Sequence, residues 1–327
     1  MPMHRMKKIL WQCFLSLCYR KSKKRTDSQG GGAIDSRKYF MIRLTIGKLN
    51  IQIDGIDRSV VPENTLIFEN EFSTPDLYFT FYMDRQPQLP SIPPIYHKEG
   101  EITVFRNLSG LESRLMYMPR SRDIYAFIEE KDSVHVEITF NPFYINQLKV
   151  NAFFYSVVAL EKYLAAKNQF IFHCAYMDFD GEAILFTGPS GIGKSTHSNL
   201  WKKYMPDRVK ILNGDKCLLT REDDGLYACG WPICGTSGIC HNEKRKIKAI
   251  VMLQQSAENH FPDESRKIQF RRILEQITIN YWNRSFADAA INMASEICSN
   301  LPCYTYACNI SYEAVNILYK KIIETGK

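Results

Sequence analysis

The first forty residues lack the length of apolar chain that would cross a bilayer. Ile9, Leu10, Trp11, Phe14, Leu15 and Leu17 make a run of about ten residues where about 20 are needed. No small-residue cleavage site follows it, which argues against a cleaved secretory leader. Zinc-type spacing is missing as well. Cys229, Cys234, Cys240 and His241 have the residue types of a metal site, but the cysteines are five and six apart and not in C-x₂₋₄-C pairs. Ten cysteines in a chain of 327 residues with no leader read as reduced thiols in a cytoplasm, not as a disulfide framework. Cys298, Cys303 and Cys308, flanking a predicted strand, read as small buried hydrophobes. Net positive charge is confined to the leading segment. The net charge is +7, yet residues 1–40 hold ten Lys or Arg against Asp27 and Asp35, so residues 41–327 carry about −1. A basic nucleic-acid face is not implied, and no nucleic-acid partner is expected. No internal repeat is visible.

What is present begins with that leading segment, residues 1–40, which runs from basic to apolar and back to basic before Gly30, Gly31 and Gly32. It reads either as an amphipathic helix resting on an anionic membrane surface or as a disordered tail. A start of translation upstream of the true one, with Met41 opening the folded part, belongs to the second reading. The abrupt strand pattern from Ile42 favours that second reading, so no membrane partner is expected. From Met41 to about Phe140 the apolar residues recur mostly with period two: Ile42, Leu44, Ile46, then Leu49, Ile51, Ile53, and later Val134, Val136, Ile138. Further strand-like runs lie at 78–83 and 115–118, separated by Asp54-Gly55 and by Pro87, Pro90, Pro93 and Pro94. This predicts a small β-rich domain over 41–145 with no catalytic constellation. Residues 151–166 are apolar at helical spacing and nearly all round, predicting one buried helix that bridges to a second domain over 146–327.

In that second domain a strand is predicted over 170–177, a hairpin turn at Asp180-Gly181, and a second strand over 183–186. A helix from Ser195 to about Tyr204, strands near 209–212, 226–229, 247–253 and 304–308, and helices near 268–281, 286–298 and 311–323 follow. Between the second strand and the first helix stands Gly188-Pro189-Ser190-Gly191-Ile192-Gly193-Lys194-Ser195, which meets the Walker A pattern at every specified position. Glycines let such a loop curl until consecutive N–H groups point at phosphates, and the following helix N-terminus adds partial positive charge. Lys194 is placed to meet the β and γ phosphates of ATP, and the Ser195 hydroxyl to ligate Mg²⁺. The expected nucleotide-binding set is Gly188, Pro189, Ser190, Gly191, Ile192, Gly193, Lys194, Ser195 and Thr196.

The stretch from His173 through Asp180-Gly181 to Ser195 resembles the core of HPr kinase/phosphorylase and its phosphoenolpyruvate carboxykinase-like relatives. There a histidine-bearing strand, a hairpin and a loop G-x-S-G-x-G-K-S follow in this order. The resemblance implies an α/β fold with a mixed sheet around the phosphate loop, preceded here by the small β-rich domain. It covers about residues 150–325. Ile211-Leu212-Asn213-Gly214-Asp215-Lys216 is similar to the family's second acidic motif, and an acid at the end of that strand is where a Mg²⁺ partner is expected in any case. Asp215 is therefore the second metal residue beside Ser195. Lys216 stands where a second aspartate is common, so either Asp215 or His173 is left to act near an acceptor. His173 also has a plainer reading as a hydrogen-bonded histidine on a half-buried strand. Residues 232–238, small and hydroxyl-rich, read as a second anion or acceptor loop or as a hairpin tip, with Lys244, Arg245 and Lys246 as charges that neutralise the transferring group.

The catalytic candidates are thus Lys194, Asp215 and His173, with ATP and Mg²⁺ as cofactors. The leading expectation is a cytoplasmic ATP-dependent kinase that phosphorylates a Ser or Thr hydroxyl of a protein or peptide. A nucleotide sensor or scaffold without turnover is the alternative that the missing second aspartate keeps open. A carboxykinase would need a transition-metal site and an oxaloacetate-binding arginine in residues 41–150, where Arg85, Arg106, Arg114, Arg120 and Arg122 are scattered without pattern. The resemblance also makes a homo-oligomer possible, with no interface signal in the residues themselves.

Overall fold

A computed structural model describes residues 41–325 except Gln86 and Arg120; the expectations for residues 1–40 lie outside the described residues. The chain runs β1 (Ile42–Ile46), β2 (Leu49–Asp54), the single-turn helix α1 (Glu63–Leu66), β3 (Leu77–Tyr82), β4 (Tyr96–Lys98) and β5 (Ile102–Arg106). Next come β6 (Glu112–Tyr117), β7 (Ile124–Glu130), β8 (His135–Phe140), α2 (Asn151–Val158), α3 (Glu161–Ala166), β9 (Gln169–Phe179) and β10 (Glu182–Thr187). The remainder is α4 (Lys194–Tyr204), β11 (Val209–Asn213), β12 (Lys216–Glu222), β13 (Gly225–Cys229), β14 (Lys244–Gln255), α5 (Arg266–Leu274), α6 (Arg284–Asn300), β15 (Cys303–Cys308) and α7 (Tyr312–Thr325). The architecture is mixed α/β with two mixed sheets. It divides into two compact units, whose described parts are 41–43, 50–62 and 71–158 for the first, and 44–49, 63–70 and 159–325 for the second. Among the described residues no helix is long and apolar enough to cross a membrane.

Eight strands form the first sheet in the order β1-β2-β3-β8-β7-β6-β5-β4. The alternation of β1, β2 and β3 is the cause of their one-sided burial: Ile42, Leu44, Ile46, Leu49, Ile51 and Ile53 are all buried while the residues between them are not. β4, β5 and β7 were not expected. β7 carries the continuous run Tyr125-Ala126-Phe127-Ile128, buried throughout, which has no period-two signature to read. The single bridging helix expected over 151–166 is instead two helices, broken where Ala159 takes a left-handed φ of 51°.

The second sheet is organised around β9, which carries apolar residues on both faces, each face meeting its own core. Phe170, Phe172, Cys174 and Tyr176 pack with Phe286, Ala290, Met293 and Ile297 of α6. Ala175, Met177 and Phe179 pack with Trp201 of α4 and Val315, Leu318 and Ile322 of α7. Helices therefore cover both sides of the strand. At roughly 1.5–3 kcal/mol for each large apolar side chain withdrawn from water, these two layers dominate the stability of the unit. α4 contributes its inner face to the second layer; there burial pushes the His197 imidazole down to about 4, so it enters the core uncharged against the rings of Phe186 and Tyr306.

β9 pairs antiparallel with β10, β11 and β12, β12 with β13, and β13 with β14, while β14 returns parallel to β10. The pairings β9-β12-β13-β14-β10-β9 close a circuit, which leaves none of these five strands as a wholly free edge. β12 was missed in the sequence because Cys217-Leu218-Leu219-Thr220 is buried on both faces and does not alternate. The β9–β10 hairpin turns through Asp180 (φ 51°) and Gly181 (φ 88°), left-handed at both central positions as a two-residue hairpin demands. A Cβ on Gly181 meets nothing within 4 Å, so strain alone sets the cost of a side chain there. Gly181→Ala is expected to lower stability by about 1 kcal/mol, read as a lower urea midpoint at unchanged slope.

Candidate functional site

The site grows out of the end of β10. Its register sets Thr187 opposite Cys174, and the Thr187 hydroxyl donates to the His173 carbonyl at 2.7 Å, so the chain leaves the sheet level with His173. The next residues cannot continue as a strand: Gly188, Gly191 and Gly193 hold φ of 138°, 80° and 108°. At Gly191 and Gly193 a Cβ would meet nothing within 4 Å, so glycine is required there by backbone conformation. α4 then begins at Lys194 with no side chain capping its first turn, which leaves the positive end of the helix to the cleft.

That cleft has a volume of about 260 Å³ and is lined by His173, Ser190, Gly191, Gly193, Lys194, Ser195, Thr196, Gly214, Asp215, Gly235, Thr236 and Ser237. It falls below the roughly 300 Å³ of a whole small-molecule pocket, and so suits the charged end of a ligand more than an entire one. Ile192 lies behind the loop, packed on the Trp201 layer. Lys194 is buried, and its ammonium donates to the carbonyls of Gly188 at 3.0 Å and Pro189 at 3.2 Å. Burial pushes its pKa below the ordinary lysine value, and the charge of Asp215 works against that. The Ser195 hydroxyl donates to the Gly214 carbonyl at 2.9 Å, across to the turn that carries Asp215.

Asp215 stands between two donors. Oδ1 lies 3.4 Å from Nε2 of His173, and Oδ2 accepts from Nζ of Lys216 at 2.8 Å. The hydrogen bond from His173, then that from Lys216, hold the carboxyl well below the usual carboxylate range against the cost of partial burial. It is a fixed anion at neutral pH. His173 is braced on its other side, where Nδ1 meets Oε1 of Gln276 at 3.2 Å and its main-chain N–H donates to the Gln276 carbonyl.

The structure thus brings His173, Lys194, Ser195, Thr196 and Asp215 to one cleft with Ser190, Gly191 and Gly193 of the loop, leaves Gly188, Pro189 and Ile192 outside its lining, and adds Gly235, Thr236 and Ser237 from the second small-residue segment. It does not bring the basic cluster there. Lys244 pairs with Glu222, Arg245 with Asp178 and Glu243, and Lys246 with Asp224, so these charges of β14 are spent in ion pairs with β12, β9 and the turns beside them. The described cysteines are free thiols, and no group of three or more His, Cys, Asp or Glu among the described residues is arranged to hold a metal. Two residues escaped the sequence reading. Gln276 lay inside a helix expected over 268–281; α5 ends at Leu274, because Ile277 bridges Phe172 and the Thr278 N–H donates to the Ile171 carbonyl. Asn213 carried a readable signal in the turn Asn213-Gly214-Asp215, where an asparagine commonly bonds the backbone two residues on.

No protein-family model matches the chain, and no curated protein sequence matches it. A solved structure that overlaps it is the Hpr(Ser) kinase/phosphatase from Coxiella burnetii, 13% identical, over 48% of this chain and 89% of that one, with a TM-score of 0.29. An overlap that loose carries no functional conclusion.

Proposed function

We propose that the chain is an ATP-dependent phosphotransferase built on an HPr kinase-like phosphate-loop core, passing the γ-phosphoryl group to a Ser or Thr hydroxyl of a protein or peptide. The observation that carries this reading is the shared cleft: the loop's Lys194 and Ser195 open onto the same space as Asp215 and His173. The loop amides and Lys194 hold the phosphates. Ser195 and Asp215 are both hard oxygen donors on that cleft, as Mg²⁺ requires, and one carboxylate with one hydroxyl is enough when phosphate oxygens and water complete the shell. Mg²⁺, when bound there, neutralises charge on the β and γ phosphates.

In the transfer, the bond from the γ-phosphorus to the bridging oxygen breaks as the bond from the acceptor oxygen forms, and ADP leaves. The acceptor proton passes to the Asp215 carboxylate, while His173, with Nε2 3.4 Å from Oδ1, keeps that carboxylate in place. A loose transition state asks little basicity of it, so position and fixed charge supply most of the effect.

A second reading, binding without turnover, is favoured by one contact: Lys216 occupies Oδ2 of Asp215 at 2.8 Å, where a metal would also have to bind. Incubation with γ-labelled ATP, Mg²⁺ and a library of Ser- and Thr-containing peptides separates the two. Label on a peptide hydroxyl is the expected result; nucleotide binding with no transfer to any peptide leaves the sensor.

A further inference from the structure

Asn213 ends β11 fully buried, directly beneath the turn that carries Asp215. Its side-chain amide is used to capacity. Oδ1 accepts from the N–H of Asp215 at 2.9 Å and of Lys216 at 3.0 Å, and Nδ2 donates to the carbonyls of Trp231 at 2.8 Å and Ile233 at 3.1 Å. Because the partners are two main-chain donors and two main-chain acceptors, only one orientation of the amide satisfies all four. An asparagine serving the turn alone needs the first pair of bonds. The second pair reaches 18 and 20 residues along the chain, to the segment that leads into Gly235, Thr236 and Ser237.

The two segments so joined touch with no slack. A Cβ on Gly214 would sit 2.3 Å from the Ser237 hydroxyl oxygen, and one on Gly235 would sit 3.0 Å from the Cβ of Asp215. The Ser237 hydroxyl is itself tied to the Cys234 carbonyl at 2.7 Å. On one side of this contact stands the carboxylate, on the other the wall of the cleft opposite the phosphate loop.

We propose that Asn213 is a positioning residue that fixes Asp215 and the 233–237 loop as one unit, so that the metal-side carboxylate and the acceptor-side wall keep a single relative placement. This rests on the reading of the cleft as a Mg²⁺-nucleotide site. Asn213 touches neither nucleotide nor acceptor and acts through the backbone of Asp215 and Lys216. Without it, the turn keeps the Cys174 N–H bond to the Asp215 carbonyl and the Ser195 bond to the Gly214 carbonyl, and the His241 N–H still reaches the Leu212 carbonyl, but no side-chain amide joins the Asp215 turn to Trp231 and Ile233.

The test uses the full chain, a non-hydrolysable ATP analogue as probe, and its melting shift measured across a Mg²⁺ titration, for the native protein, Asn213→Ala and Asn213→Asp. The aspartate keeps the acceptor oxygens but sets an oxygen against the carbonyls of Trp231 and Ile233. Both variants are expected to keep the metal-free nucleotide shift, which depends on the loop, and to need about tenfold or more Mg²⁺ for the further shift, as loss of a residue orienting a metal ligand does. A Mg²⁺ midpoint unchanged in both variants overturns the proposal, as does a parallel loss of both shifts, which marks a purely structural role. If neither variant folds, Asn213 supports the fold and not the site, and the proposal falls as well. A native protein with no Mg²⁺-dependent shift overturns the reading of the cleft itself, a failure visible before any variant is compared.

Discussion

Lys194→Ala is expected to abolish the melting shift that Mg-ATP gives the native chain. A ligand present at 100 times its dissociation constant stabilises the folded state by about 2.7 kcal/mol, and most of that is lost if binding weakens by two orders of magnitude. The ammonium is the mobile point charge of the cleft, buried at the loop and turned onto the Gly188 and Pro189 carbonyls. Handing it to phosphate oxygens replaces two neutral acceptors by anionic ones, adding a charge–charge attraction to bonds whose donor is already ionised. The variant's own fold is not expected to suffer. Burial already presses the ammonium toward its neutral form, so its removal relieves a desolvated charge, which offsets the loss of its bonds to the Gly188 and Pro189 carbonyls. Differential scanning fluorimetry with and without Mg-ATP reads both quantities. An unchanged shift in the variant would remove the phosphate-loop assignment.

Much of this site was legible because its parts are close in sequence. The strand from Phe170, the Asp180-Gly181 turn, the strand to Phe186, the glycine loop and the helix after it are local features. Each residue type there answers to a backbone need: left-handed φ at Gly181, Gly188, Gly191 and Gly193, and apolar runs for strands buried between layers. What was not legible depends on pairing across long separations. Gln276 reaches His173 from 103 residues away, and it does so because the chain after α5 gives up helical bonding for contacts with β9, an exchange no local propensity records. β12 and β7 were hidden by burial on both faces, which removes the period-two signal. Lys244, Arg245 and Lys246 looked like a positive wall because their partners, Glu222, Asp178 and Asp224, lie on other strands or turns and meet them only once the sheet is formed. Asn213 could be read as a turn residue, but its bonds to Trp231 and Ile233 could not.

Asp215→Asn should cut phosphoryl transfer by a factor on the order of 10²–10³, the usual cost of losing one preorganised charge partner at the reacting group. The substitution keeps volume and removes one negative charge. The amide has a single oxygen, so it satisfies Lys216 or His173 but not both, and its nitrogen then faces the other donor. Two consequences pull nucleotide binding in opposite directions. The Mg²⁺-dependent part of the melting shift should vanish, because the cleft has lost its anionic oxygen donor. The metal-free part should hold or grow, because Lys194 no longer shares the cleft with a compensating carboxylate and Lys216 loses its ion-pair partner. A loss of both parts together would point to a collapsed loop instead of a missing ligand. Transfer at the native rate in this variant, measured with the same labelled ATP and acceptor peptide, would take Asp215 out of the reaction and leave the proton and the metal to other groups.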